Sequence, residues 1–204
     1  MRRTIVYVDG FNLYYRALKG TPYKWLNIKK LAEQLLDRTN EVVLVKYYTA
    51  RVSGKQDPSS PARQQLYLDA LATVPEVRVF FGNFLANVIT RPLVRPIKGL
   101  PTYVQVHHTA EKGSDVKLAT HLLHDAWTGA FEAAAVISND TDLCEPIAIV
   151  NEELNKPVGV LCPAQNCSVP LRRVAKFVKH IRHGHLAASQ FSDPLGSLRK
   201  PSTW

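Results

Sequence analysis

The chain has 204 residues, is 46% hydrophobic, and sets 26 lysines and arginines against 17 aspartates and glutamates, for a net charge of +9. That length suits one domain able to bury a real core. No apolar run approaches the roughly 20 residues needed to span a bilayer, which excludes a membrane-spanning helix. The positive excess favours polyanionic partners and is silent about chemistry. The opening Met1-Arg2-Arg3-Thr4 is basic, but Ile5 to Val8 is too short, and Asp9 too early, for a signal peptide. A soluble, cytoplasmic protein is expected. Cys144, Cys162 and Cys167 are odd in number, with no second pair to complete a zinc site, and read as core or surface thiols.

Thr4 to Val8 is a short apolar run ending at Asp9-Gly10, which predicts a buried strand and then a turn. Phe11 to Leu18 follows as a first helix. Asn27 caps a second helix over 28–38, with Ile28, Leu31, Ala32, Leu35 and Leu36 on its apolar face. Residues 42–48 are β-branched and aromatic, hence a strand. A polar loop with two prolines covers 55–61, helical spacing covers 62–72, and a third strand covers 77–81. From Gly82 to His108 the alternation breaks. Prolines, glycines and β-branched residues there read as an inserted hairpin or long loop, with 103–107 its best strand.

Residues 111–115 open a helix that runs to about Trp127. A buried strand at 133–138, a helix at 142–153, a strand at 158–162 and a basic helix at 169–182 follow. From 187 to 204 the tail is polar and expected to be loosely held. The expected organisation is therefore one domain over 1–186 and a polar C-terminal tail over 187–204. Alternating strands and helices imply an α/β fold, a parallel sheet covered on both faces. The functional crevice of such a sheet lies beyond the C-terminal ends of its strands.

That rule singles out acids. Asp9 follows the first strand, Asp140 and Asp142 follow the strand near Ser138, and Asp115 sits at a helix start. Clustered carboxylates raise one another's pKa and resist joint ionisation, a penalty that a divalent cation removes. Magnesium and manganese take such oxygen ligands and suit phosphodiester hydrolysis. Each piece also has a plainer reading: Asp9-Gly10 as a turn, Asn12 as a helix cap, Ser114-Asp115 as a cap with an acid favoured by the helix dipole, and Asp140-Thr141-Asp142 as a turn with a cap.

Three stretches resemble the NYN domain family, the LabA-like (DUF88) branch of PIN-like nucleases. They are Ile5-Val6-Tyr7-Val8-Asp9-Gly10-Phe11-Asn12-Leu13-Tyr14, then Glu111-Lys112-Gly113-Ser114-Asp115-Val116-Lys117-Leu118-Ala119, then Val136-Ile137-Ser138-Asn139-Asp140-Thr141-Asp142-Leu143. The resemblance implies a PIN-like three-layer α/β/α sandwich with a central parallel sheet, and a magnesium- or manganese-dependent endoribonuclease. It implies Asp9, Asp115, Asp140 and Asp142 as metal ligands, with Asn12 and Ser138 beside them. Two departures stand out. His121 occupies a position where many relatives carry aspartate; it reads as a surface histidine on a polar face with Lys117, His124 and Asp125. Asn139 and Thr141 replace glycines, and Thr141 tolerates a left-handed backbone poorly.

Basic residues group in three places: Arg51, Lys55 and Arg63; Arg91, Arg95 and Lys98; and the stretch with Arg172, Arg173, Lys176, Lys179 and Arg182. The spacing of 172, 176 and 179 puts three cations on one face if that stretch is a helix. Lys112, Arg51, Arg172 and Lys176 are candidate phosphate contacts, Ser138 and Thr141 candidate substrate contacts, and Tyr14, Tyr15, Tyr47 and Tyr48 candidate stacking platforms for single-stranded RNA. His107-His108 is a weak metal candidate without a third ligand. No membrane partner is expected, and a homo-oligomer is left open. Two alternatives to the nuclease remain: a catalytically silent RNA-binding or scaffold protein of the same fold, and a haloacid-dehalogenase-type phosphatase. The phosphatase has an Asp-x-Asp after its first strand, whereas Asp140-Thr141-Asp142 comes late in this chain.

Overall fold

The structure, a computed structural model, describes residues 1–54, 57–99, 101–202 and 204, and of 84–87 and 107–111 the backbone alone. Six parallel strands form one sheet in the order β3-β2-β1-β6-β7-β8. They are β1 (Arg2–Asp9), β2 (Asn40–Thr49), β3 (Val77–Phe81), β6 (Ala133–Ile137), β7 (Val158–Cys162) and β8 (Val178–His180). A separate antiparallel ribbon, β4 (Asn83–Pro92) and β5 (Tyr103–Lys112), is the expected hairpin, extended to Lys112. Glu111 and Lys112 thus end a strand rather than open a helix.

The inner strands are apolar on both faces, and alternate residues feed two cores. Val6 and Val8 of β1 pack with α1 (Gly10–Leu13), α2 (Ile28–Leu35), α3 (Ser60–Ala72) and α7 (His183–Ala188). Ile5 and Tyr7 pack with α4 (Ser114–Trp127), α5 (Cys144–Glu152) and α6 (Val169–Val174). This is the three-layer α/β/α sandwich that the alternation implied. Asn27 caps α2 as predicted, its side chain accepting from the Lys30 amide at 3.0 Å.

Three expectations fail for identifiable reasons. The first helix is α-helical only to Leu13; Tyr14–Leu18 forms a π turn, closed by the Lys19 amide on the Tyr14 carbonyl at 2.7 Å. In an α-helix Leu13 and Leu18 would lie roughly 140° apart. The wider turn lets both stay in the core while Tyr14, Tyr15 and Arg16 face outward.

The basic helix expected over 169–182 stops at Val174. Ala175 is extended, and Val178–His180 joins the sheet as β8. Phe177 lies over Gly159, where a Cβ would stand 2.2 Å from its ring, so aromatic packing overrides the helical spacing. Arg172, Lys176 and Lys179 therefore do not share a helix face. Lys176 donates its amide to the Val158 carbonyl at the N-terminal end of β7.

The tail is also not loose. The Phe191 amide bonds the Trp25 carbonyl at 2.9 Å, the Trp25 indole donates to the Ser192 carbonyl at 3.0 Å, and the Phe191 and Trp204 rings both lie 5.9 Å from that of Trp25. Apolar anchors within a polar stretch hold it. Phe191→Ala should cost about 3 kcal/mol, the scale of a buried Phe truncation, and lower the melting temperature by roughly 6–12 °C. Unchanged thermal unfolding would mean that the tail contributes nothing to stability.

Candidate functional site

The chain winds outward from the middle of the sheet in both directions, β1 to β3 on one side and β6 to β8 on the other. At such a reversal the loops leaving neighbouring strands diverge and open a crevice. Here the neighbours are β1 and β6, so the crevice falls at Asp9 and at the loop after Ile137.

Asp9 is buried at that edge and caps α1. Its Oδ1 accepts the Asn12 amide at 2.9 Å, and its Oδ2 accepts the Ser138 hydroxyl at 2.9 Å. Ser138 Oγ in turn accepts the Asp140 amide at 3.0 Å. One fully buried serine therefore ties two acidic residues together across the two strands. Asp140 Oδ1 accepts the Asp142 amide at 3.1 Å and caps the 3₁₀ turn Thr141–Leu143. Gly10 is required for space rather than for a turn: a Cβ there would meet the Tyr48 carbonyl at 2.6 Å.

Asn12 caps nothing. Its Oδ1 accepts the Asn139 amide at 3.0 Å, a second tie between the two strand ends. Asn139 extends it: its Oδ1 accepts the Ser168 amide at 2.8 Å, and its Nδ2 donates to the Asn166 carbonyl at 3.4 Å. No local pattern signals that second role, since Asn166 and Ser168 follow a different strand. Asn155 is the non-glycine with positive φ among the described residues, so neither Asn139 nor Thr141 adopts the left-handed backbone considered from the sequence.

Asp115 lies half-buried in the first turn of α4, behind Gly113 in a left-handed cap (φ 91°). That helix packs on β1 and on the 3₁₀ turn that carries Asp142. Thr141 and Asp142 are exposed. Among the described residues, no three Asp, Glu, His or Cys side chains form a ready metal cage. The cysteines lie beside the loops and are not ligand-like. Burial pushes the Cys162 thiol up to about 12; burial and then the nearby Asp140 raise that of Cys144.

The surrounding surface is mixed. Arg51, just past β2, lies 4.5 Å over the Phe81 ring and bonds Gln65. Lys112 ends the ribbon beside Gly113, exposed, and Arg172 is exposed on α6. Lys176 sits at the opposite edge of the sheet and drops out as a substrate contact. Arg63 is engaged by Asp57 and Ser59 of the loop that precedes its helix. Tyr14 and Tyr15 are exposed, with Tyr15 stacked on Phe11 at 6.4 Å; Tyr47 and Tyr48 are core residues. Lys55 and the side chains of His107 and His108 lie outside the described residues.

His121 and Asp125 are corrected most. They face the sheet, not solvent. Asp125 is buried and accepts Lys46 Nζ at 2.5 Å and the Tyr7 hydroxyl at 2.6 Å. His121 Nδ1 meets the Tyr48 hydroxyl at 2.9 Å, with its ring 4.7 Å from that of Phe80. Helical-wheel polarity cannot see that β1 and β2 supply polar partners; the lone Lys46 inside an apolar strand was the available signal.

The profile of the NYN domain family matches residues 3–183. The chain belongs to that family. This NYN chain is also 29% identical, over 99% of its own length and 75% of the other, to the 6-hydroxy-3-succinoylpyridine 3-monooxygenase HspA of Pseudomonas putida. A solved protein of unknown function from Vibrio parahaemolyticus shares its fold with a TM-score of 0.57 at 19% identity, covering 89% of this chain and 94% of that one. With the family established, the haloacid-dehalogenase alternative lapses: the Asp-x-Asp follows β6, not the first strand.

Burial and then Lys46 hold His121 below the usual histidine range. The unfolded chain therefore takes up a proton more readily than the folded one. Stability is unaffected well above about pH 6.5 and falls as pH drops through that value. His121→Gln, which keeps an acceptor for Tyr48, should flatten this part of the profile in urea unfolding between about pH 7 and pH 5. Parallel profiles for the two proteins would assign the acid sensitivity elsewhere.

Proposed function

We propose that this NYN protein is a metal-dependent endoribonuclease that hydrolyses RNA phosphodiester bonds at the Asp9–Ser138–Asp140 edge. The observation that supports it is the pair of acidic residues joined through one buried serine at the switch point of the sheet. The donor set fits magnesium or manganese. These ions take hard oxygen ligands, and magnesium is commonly held by one or two carboxylates together with waters and substrate phosphates, so a closed protein cage is not required. Asp9 and Asp140 would hold the ion, with Asp115 and Asp142 as further carboxylates at the same edge. When bound, it supplies a lowered pKa to water and neutralises charge on the phosphoryl oxygens.

The chain's own groups do the rest. Ser138 donates to Asp9 and, with the Asn12 amide, fixes that carboxylate in one orientation. Asn12 and Asn139 hold the two loops at a set separation. Arg51, Lys112 and Arg172 are cations for the phosphates of a bound strand. Tyr14 and Thr141, both exposed, would offer a stacking face and a hydroxyl to a single-stranded substrate.

A second reading has one observation behind it, the similarity along 99% of this chain and 75% of the other to a 6-hydroxy-3-succinoylpyridine 3-monooxygenase. Ring hydroxylation inserts one oxygen atom of O₂ and reduces the other to water with two electrons from a reductant. It predicts consumption of O₂ with an aromatic heterocycle, and no cleavage of RNA.

The test uses purified protein with manganese or magnesium and labelled RNA. Cleavage should require the metal, stop in EDTA, and fall by about 100-fold or more in Asp9→Asn and in Asp140→Asn, the scale of removing one transition-state-stabilising group. Both variants should keep the wild-type circular dichroism. Undiminished cleavage by the two variants would refute the assignment. RNA binding in EDTA without any turnover would leave a silent RNA-binding protein instead.

A further inference from the structure

The ribbon β4–β5 has no place in the sheet, and its described residues pack chiefly on each other. Ten residue pairs run from Asn83↔Lys112 to Pro92↔Tyr103, a reach of about 34 Å. A two-stranded ribbon on its own is marginal in water and needs something to pack on. Both roots lie at the proposed reaction edge. β4 leaves directly after β3, where the Gly82 amide bonds the Thr49 carbonyl at 2.7 Å, and β5 returns through Gly113 into the helix turn that carries Asp115.

Its chemistry is one-sided. No acidic residue occurs between Glu76 and Glu111, whereas Arg91, Arg95 and Lys98 cluster at the far end. All three are exposed, and among the described residues none of them forms an ion pair. Tyr103 is 61% exposed at the last rung of the ladder, paired with Pro92, and Ile97 in the connecting segment is 58% exposed. Cations and an exposed ring at one end of a ribbon match single-stranded nucleic acid, whose phosphates meet the charges and one of whose bases stacks on the ring.

We infer that the β4–β5 ribbon is an arm that grips the backbone of a single-stranded RNA beyond the cleaved bond. The inference rests on the RNA reading of the site and adds where the rest of the strand is held. It makes the ribbon a determinant of affinity for long substrates and not of the chemical step. Glu111 at the root is the ribbon's one acidic residue, and the cationic far end disfavours pairing with a second basic copy of this chain, since like charges would meet.

The test compares wild type with the triple variant Arg91→Gln, Arg95→Gln, Lys98→Gln and with Tyr103→Ala. The probe is a fluorescent single-stranded RNA long enough to pass from the rim to the ribbon tip, with anisotropy read in EDTA across about 50–200 mM salt. The triple variant should lower the log–log salt slope by about 2, three cations at roughly 0.7 each, and weaken binding by about 10-fold or more. Tyr103→Ala should weaken binding with the slope intact, and metal-dependent cleavage of a dinucleotide should not change in either. Wild-type slope and affinity in the triple variant would overturn the inference. So would loss of a dimer on sedimentation with RNA binding intact, which would make the ribbon a self-association arm. Binding is read without turnover, so failure of the nuclease assignment leaves this result interpretable, and failure here leaves dinucleotide cleavage standing.

Discussion

The hydroxyl of Ser138 stands between two strand ends that lie 129 residues apart in the chain, and the arrangement of the acidic edge depends on it. It donates to Asp9 and accepts from the amide of Asp140, so its proton has a single place to go. Without that donor, a buried carboxylate would face its neighbour with less to offset desolvation and repulsion. The Asn12–Asn139 bond runs alongside and makes the tie double. Parallel winding brings β1 and β6 together; these two bonds turn adjacency into fixed geometry. The loops beyond them must diverge, one toward the helices of each face, and that divergence is what leaves a crevice to fill.

The two faces of the sheet are held differently. Against α2, α3 and the C-terminal tail the contact is apolar. Against α4 it includes a buried ion pair, Lys46 with Asp125, joined by Tyr7 and flanked by the Tyr48–His121 bond. A buried ion pair adds little net stability over apolar packing, but separating its partners is costly. Its consequence here is positional. Asp125 fixes the last turns of α4 and His121 its middle, so the first turn, where Asp115 sits, is aimed by contacts two to three turns away. Hydrogen bonds from Lys46 and Tyr7 outweigh burial and hold the Asp125 carboxyl below the usual range, which keeps the pair charged.

The inner strands were legible because inner parallel strands are apolar on both faces, a pattern that needs no partner to recognise; the short edge strand β8 was not. The acidic edge was legible for a related reason: a polar residue directly after such a run must sit at the sheet's end. Features set by contacts distant in sequence were hidden. The hub at Asn139 depends on backbone groups of a loop after β7. The end of α6 depends on Phe177 meeting a glycine on β7. The π turn depends on where Leu18 must point, and the inward turn of Asp125 on a lysine 79 residues away. Each is a tertiary contact that the local pattern does not carry.

Family membership fixes the scaffold and leaves the chemistry to the site. That matters here because a relative matched along the whole chain carries the name of a monooxygenase acting on a small ring. A small apolar ring is bound by enclosure: pockets for such ligands bury most of the ligand against apolar walls. A polyanionic strand asks the opposite, an open edge with charge spread along its path. The edge formed by Asp9 and Asp140 is bordered by exposed groups. Thr141 and Asp142 in the loop after Asp140 are exposed, Arg51 and Lys112 are exposed just past β2 and at the end of β5, and a ribbon with a cationic far end leaves after β3 and returns to α4. A ring-binding site built on this scaffold would need those exposed groups covered.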